Sequence, residues 1–276
     1  MRQSGFPFSL TLVQVLTIGA FISSHPQSLA MCASADQEWF RSWFNSPYYH
    51  MLYRHRDDKE AATFLDKLIG KLNLQSKASI LDLACGKGRH AIHLHEKGFQ
   101  VTGLDLAEES IIAAQKASPG GIEFITGDMR TFDLGRKFDC IVNLFTSFGY
   151  FNGKDENQQV VNRIYAHLET GGRFVLDYFN PSVISCANKY SGVHQCNDIS
   201  FTVNKRFDKD HIIKEIEVDD HGQKMKFHER VQLITLDEIK SMLSISGFEY
   251  ETVYGNYNLE AYQPDSSDRM IIIARK

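Results

Sequence analysis

Two acids and two glycines carry the first chemistry in this chain. Ile80-Leu-Asp-Leu-Ala-Cys-Gly-Lys-Gly-Arg-His90 reads as a buried strand, a glycine turn and the start of a helix. Asp82 is the acid of that strand. A second apolar run, Val101-Thr-Gly-Leu-Asp105, also closes on a carboxylate. Acid-ended strands joined by a glycine turn and one helix suggest a nucleoside-binding βαβ unit. A carboxylate at Asp105 can accept hydrogen bonds from ribose hydroxyls. Glycine suits positions 86 and 88 because a side chain would block the ligand and because φ above zero is cheap only for glycine.

The spacing Gly86-x-Gly88-x-x-Ala91 fits a dinucleotide turn, so a nicotinamide-dependent oxidoreductase is one reading. Asp82 argues against it. A pyrophosphate sits on the helix N-terminus and carries negative charge, which a carboxylate just upstream repels. S-adenosylmethionine has no phosphate. It has an ammonium, a carboxylate, a sulfonium and a ribose, and an acid at the first strand end suits that cation-bearing tail. A third apolar run, Phe124-Ile-Thr-Gly-Asp-Met129, ends in Asp128. That acid can accept from an adenine amino group, and Met129 can pack on the ring. A fourth, Phe138-Asp-Cys-Ile-Val-Asn143, leads into the polar and aromatic loop Leu144-Phe-Thr-Ser-Phe148.

At these residues the chain resembles the class I S-adenosylmethionine-dependent methyltransferases of small-molecule type. Leu81-Asp-Leu-Ala-Cys-Gly-Lys-Gly88, Gly103-Leu-Asp105, Gly127-Asp-Met129 and Asn143-Leu-Phe-Thr-Ser-Phe148 carry the resemblance, in the family's order. It runs from about Tyr48 to the C-terminus. One departure is visible. Ala84 stands where the family's first motif has a glycine, which is tolerable if φ is negative there. The resemblance implies S-adenosylmethionine as cofactor. It assigns cofactor contacts to Asp82, Ala84, Gly86, Gly88, Arg89, Asp105, Leu106, Asp128, Met129, Asn143, Phe145 and Tyr53. It implies methyl transfer to a small molecule, with the nucleophile (nitrogen, oxygen or carbon) left open. A protein methyltransferase and a cofactor-binding module without turnover remain alternatives. An amino-directed DNA enzyme of the family would carry an Asp/Asn-Pro-Pro-aromatic motif where this chain reads Asn143-Leu-Phe-Thr.

Methyl transfer from a sulfonium is an in-line displacement, so the protein chiefly positions the acceptor and excludes water. A base is needed only for a hydroxyl or a protonated amine. Candidates for that role are Tyr150 and Ser147 after the fourth strand, Asp177 at the end of the fifth, and His55 before the first long helix. Phe145, Phe148, Tyr150 and Phe151 suit a sulfonium, which is attracted to aromatic faces. His90, His93 and His95 cluster after the glycine turn, but the sequence suggests no further ligand, so no metal is expected.

The elements that must hold these groups alternate. Strands are expected at about 79–83, 100–105, 122–126, 138–144 and 173–179, and helices at 57–72, 88–97, 108–117 and 157–169, the last closed by Gly171-Gly172. Short aromatic helices precede them at 37–44 and 47–54. Alternating strands and helices mean a parallel sheet with right-handed crossovers. Residues 199–207, 211–218 and 223–234 alternate apolar with polar, which reads as an antiparallel meander inserted at about 182–234. A helix at 236–246 and two antiparallel strands, 248–254 and 269–274, should follow. The expected fold is a Rossmann-like seven-stranded α/β sheet, mostly parallel with an antiparallel last strand, plus the inserted meander.

The chain has 276 residues with 30 Lys and Arg against 34 Asp and Glu. The charges are interspersed, so neither nucleic acid nor an anionic membrane is an expected partner. A monomer or homodimer is expected. The five cysteines include no CxxC pair, which indicates neither a disulfide framework nor a zinc site. Residues 1–36 are expected to be an extension to a 37–276 methyltransferase domain. Phe8 to Ile22 is apolar and Ser28-Leu-Ala30 resembles a cleavage site, so the segment reads either as a secretory signal, or as an upstream-start artefact or disordered extension. A cytoplasmic location is expected, with export as the alternative.

Overall fold

The computed structural model describes residues 38–53, 58–184 and 190–276. Two short helices open this part, α1 (Trp39–Phe44) and α2 (Pro47–Leu52). Then follow α3 (Asp58–Leu72), β1 (Ser79–Leu83), α4 (Arg89–Glu96), β2 (Gln100–Asp105), α5 (Glu108–Ala117), β3 (Glu123–Thr126), β4 (Phe138–Asn143), α6 (Lys154–Ala166) and β5 (Leu168–Phe179). The inserted strands are β6 (Tyr190–Cys196), β7 (Ile199–Phe207), β8 (His211–Asp220) and β9 (Gln223–Gln232). The chain closes with α7 (Leu236–Ser246), β10 (Glu249–Tyr254) and β11 (Arg269–Arg275).

The main sheet has the order β10-β11-β5-β4-β1-β2-β3. β1 pairs in parallel with both β2 and β4, and β11 runs antiparallel to β5 and β10. The strand order reverses between β1 and β4, which is where ligands of open α/β sheets bind. Period-2 alternation sorts the strands' apolar side chains to two cores, as a sheet covered on both faces requires. Ile80, Val101, Cys140, Val142, Val175, Ile271 and Ile273 pack with Phe64, Leu65 and Leu68 of α3 and with Ala91 and Leu94 of α4. Leu81, Leu83, Ile141, Phe174, Leu176 and Ile272 pack with Val160 and Ile164 of α6 and Leu243 of α7. The same second core takes Phe201, Val203, Ile216 and Val218 from the insert, a separate four-stranded antiparallel sheet in the order β6-β7-β8-β9.

Two expectations are corrected. Gly171-Gly172 does not end the helix before β5. That helix stops at Ala166, and both glycines lie inside β5. A Cβ on Gly172 would stand 2.9 Å from the Glu169 carbonyl oxygen and 3.1 Å from that of Asp139. The ladder slips register there, between Phe138 and Cys140 of β4. These glycines serve a bulge and a close backbone approach, not a helix cap. The insert also holds a strand the periodicity missed. β6 is an edge strand exposed along most of its length, so no buried face imposes alternation on Tyr190-Ser-Gly-Val-His-Gln-Cys196. The part of the expected insert at 185–189, and the whole N-terminal segment 1–37, lie outside the described residues.

Candidate active site

A cavity of about 550 Å³ opens beyond the carboxyl ends of β1 to β4, with α1 and α2 on its other side. Ala84, Gly86, Arg89, Asp105, Leu106, Asp128, Met129, Phe145, Ser147, Tyr150 and Tyr53 line it. All of these are among the site residues that the sequence motifs and the family resemblance implied. Asp82, Gly88, Asn143 and Asp177 do not line it. His55 lies outside the described residues.

The turn after β1 is built around Asp105. Its Oδ2 accepts from the Gly86 N–H at 2.8 Å and its Oδ1 from the Ala107 N–H at 2.8 Å. Burial raises the Asp105 carboxyl above its usual range, and the N–H bonds from Ala107, Gly86 and Leu106 work the other way. A carboxylate has about four acceptor sites, so capacity remains for a ligand's hydroxyls. Gly86 has φ +54°, and a Cβ there would meet no protein atom within 4 Å. Gly88 plays a different part. It caps α4 in the left-handed conformation, and a Cβ would come within 2.8 Å of the Phe124 ring. Its glycine serves helix–strand packing.

Ala84 has φ +64°. The condition set for alanine at this point therefore fails, and the residue occupies a region that costs an L-residue roughly 1–2 kcal/mol. Its N–H donates to the Leu104 carbonyl at 2.7 Å, which ties the turn to β2 and holds the strain in place.

Asp82 lies beneath the turn and is only 1% exposed. Its Oδ2 has no hydrogen-bond partner among the described residues. Burial and then the Asp105 charge push its carboxyl up to about 7, against the pull of the Ala91 N–H and of Arg89. A cation brought beside these two acids would relieve both effects. The two acceptors therefore fit a ligand with an ammonium and a ribose: Asp82 for the first, Asp105 for the second.

Asp128 lines the cavity, but its oxygens are already engaged. Arg130 grips both of them, with its Nη2 2.7 Å from Oδ2, and Arg41 Nη2 reaches Oδ2 at 3.1 Å. Arg130 also binds Glu38 and Glu156. Sequence reading missed this network, although Arg130 sits only two residues from Asp128. It missed His50 and Ser110 too. Both line the cavity, with His50 Nε2 3.2 Å from Ser110 Oγ.

The far wall is aromatic. Phe44 meets Tyr49 at 4.9 Å and Tyr150 at 5.2 Å between ring centroids, and Trp39 meets Tyr150 at 5.7 Å. Beside β4 the loop carries two consecutive left-handed residues, Phe145 at φ +57° and Thr146 at +61°. Such backbone persists only where its surroundings over-determine it. Asp177 supplies the restraint: its Oδ2 accepts from the Phe145 N–H at 2.8 Å and its main-chain carbonyl from the Thr146 N–H at 3.0 Å. Arg269 pairs with Asp177 Oδ1 at 2.7 Å and donates to Thr146 Oγ1 at 2.9 Å. Asp177 is thus placed under the loop as its anchor, away from the cavity. Asn143 is a second anchor, donating to the carbonyls of Leu83 and Ser147. Of the histidine cluster, His90 lines the cavity and stacks on Phe145 with centroids 4.9 Å apart, while His93 lies 2.8 Å from Asp66.

Residues 80–172 match the family described as a methyltransferase domain. Over 100 residues the chain is 39% identical to a dTDP-3-amino-3,4,6-trideoxy-alpha-D-glucopyranose N,N-dimethyltransferase of Streptomyces venezuelae. That likeness covers 36% of this chain and 42% of the relative, so it spans less than half of the relative's length. A glycine/sarcosine N-methyltransferase of Aphanothece halophytica is 25% identical over 206 residues, covering 71% of this chain and 76% of that protein. Among solved structures, an S-adenosylmethionine-dependent methyltransferase of Clostridium acetobutylicum superposes with a TM-score of 0.71. It is 18% identical and covers 83% of this chain and 95% of its own, a likeness of fold.

Proposed function

We propose, on the premise that residues 80–172 belong to the class I S-adenosylmethionine-dependent methyltransferases, that this chain methylates an amine nitrogen of a small molecule. The observation that carries the reading is the two-sided cavity. Spare acceptor capacity at Asp105 lines one side, with the Asp82 carboxyl buried beneath it, and a wall of aromatic rings stands on the other. Bound there, S-adenosylmethionine would supply an electrophilic methyl group on a cationic sulfur. Asp82 and Asp105 would hold its ammonium and ribose. The rings of Phe44, Tyr49 and Tyr150 would favour cationic groups by cation–π attraction and keep water out. An amine acceptor suits this wall because it needs only to enter unprotonated, with no dedicated strong base. Two of the proteins named above, the N,N-dimethyltransferase and the glycine/sarcosine N-methyltransferase, act on amines according to their names, which favours nitrogen over oxygen or carbon. Tyr150 and Ser147 line the cavity and are the acceptor-side residues in this reading. We assign the activity to residues 37–276, with the antiparallel sheet as an insert, and place it in the cytosol, where the methyl donor is supplied. No described helix is long and apolar enough to cross a membrane.

The test is a panel of small amines, including amino sugars, their nucleotide-linked forms and glycine, with hydroxyl and carbon acceptors beside them, assayed with labelled methyl donor. Label should appear in an amine product with the wild-type chain and not with Gly86→Val, whose side chain would enter the cavity. Label carried only by non-amine acceptors would refute the amine assignment. Failure of calorimetry to detect S-adenosylhomocysteine binding, with NAD binding instead, would refute the cofactor reading.

A further inference from the structure

The inserted sheet presents one buried carboxylate to the helices that wall the cavity. Glu229 on β9 is 7% exposed. Its Oε1 accepts from Trp43 Nε1 at 2.8 Å and from the Tyr53 hydroxyl at 2.7 Å. Its Oε2 accepts from Lys214 Nζ at 2.7 Å. Lys214 faces Glu229 directly across the β8–β9 ladder and also donates to the Tyr53 oxygen at 2.7 Å. The phenol is therefore held twice, as donor to Glu229 and as acceptor from Lys214. Burial works against the charge on Glu229, but the Lys214 ammonium and the bonds from Lys214, Trp43 and Tyr53 outweigh it and hold the carboxyl below its usual range.

An ion pair this buried is a poor source of stability, because desolvation offsets the attraction. Apolar side chains would glue the sheet to the helices equally well. What charged, directional bonds add is a fixed orientation. The group they orient is not a distant one. Tyr53 lines the cavity, and its ring lies 5.2 Å from that of Tyr49 in the same wall. The neighbouring His228 ring lies 5.7 Å from Trp39, which in turn meets Tyr150.

We propose that Glu229 and Lys214 are positioning residues for the cavity, acting from the inserted sheet through the hydroxyl of Tyr53 to fix that ring in the wall against which the cofactor binds. The proposal rests on the cofactor reading above. Its cost and benefit follow from preorganisation: a ring already held in place need not be ordered when the ligand arrives.

The experiment is a double-mutant cycle read by calorimetric titration with S-adenosylhomocysteine. Tyr53→Phe keeps the ring and removes its handle, and Glu229→Gln removes the charge that grips it. Each should weaken binding by roughly tenfold. The two together should weaken it no more than either alone, because Glu229 acts through that hydroxyl. A general loosening of the fold would still appear in the Tyr53→Phe background, so full additivity overturns the proposal. Wild-type affinity in both single variants overturns it as well. If Glu229→Gln fails to fold, the paired variant Lys214→Met, Glu229→Gln, which strands neither charge, takes its place in the same cycle. A wild-type chain that binds no S-adenosylhomocysteine refutes the cofactor reading itself, a result distinct from unchanged affinity in the variants.

Discussion

Asp82 and Asp177 look alike on paper and differ in everything that matters. Each is an acid toward the carboxyl end of a buried parallel strand, and they are 1% and 0% exposed. Asp82 has an oxygen with no partner among the described residues. Asp177 has both oxygens engaged, by Arg269 on one side and by the Phe145 N–H and Tyr257 hydroxyl on the other. The first acid is left with capacity, in a place where its charge is costly. The second is fully committed to holding a strained loop. The comparison teaches that a binding edge and its scaffold can use the same residue type. Burial alone does not separate them; the partner does.

The largest effect should come from the scaffold side. Asp177→Ala removes one member of a buried pair and leaves the Arg269 charge uncompensated. Loss of about 3–5 kcal/mol of stability is expected, measured as a lower midpoint in urea unfolding. A variant as stable as wild type would show that the Phe145–Thr146 turn needs no anchor.

Asp82→Asn should do the reverse. In the free protein a neutral Asp82 favours the fold. That contribution is full below the unfolded value near 4 and is lost as pH rises through about 7. Asparagine removes the penalty, so above pH 7 the variant should be more stable than wild type by about 4 kcal/mol, and the gap should close below pH 4. Its affinity for S-adenosylhomocysteine should fall by about 2 kcal/mol, because the ligand's ammonium loses the charged partner proposed for it. Wild-type binding should weaken as pH falls below 7, when Asp82 takes up its proton. Thermal melts and calorimetry across that range check both signs. A variant that is both less stable and unchanged in binding would erase the contrast with Asp177.

Asp105→Ala sharpens the same side. It removes the acceptor proposed for ribose hydroxyls together with the acceptor for the Gly86 and Ala107 N–H groups. Cofactor affinity should drop by about 1–3 kcal/mol in a calorimetric titration. Equal affinity would mean the ribose lies elsewhere.

Ala84→Gly is the smallest change expected. The left-handed backbone at Ala84 should relax, and thermal stability should rise by about 1 kcal/mol, net of the extra freedom glycine gives the unfolded chain. A lower melting temperature would mean that the methyl group's packing outweighs its strain.

Much of this molecule is local, and local things are legible. The βα alternation, the glycine turn and the acids at positions 82, 105 and 128 follow from periodicity and residue type, because strands, turns and helices are set over a few residues at a time. So is the antiparallel character of the insert, whose buried Phe201, Val203, Ile216 and Val218 impose a period of two. Assigning roles to the acids needed tertiary structure, because charges are neutralised by residues far away in the chain. Arg269 and Asp177 are 92 positions apart, and Trp43 and Glu229 are 186 apart. No spacing rule links them. Only the folded sheet brings β11 beside β5, and only the insert's packing on α1 brings Glu229 to Trp43 and Tyr53. The order of residues determined where polar groups could face a ligand; three-dimensional packing decided which of them the protein keeps for itself.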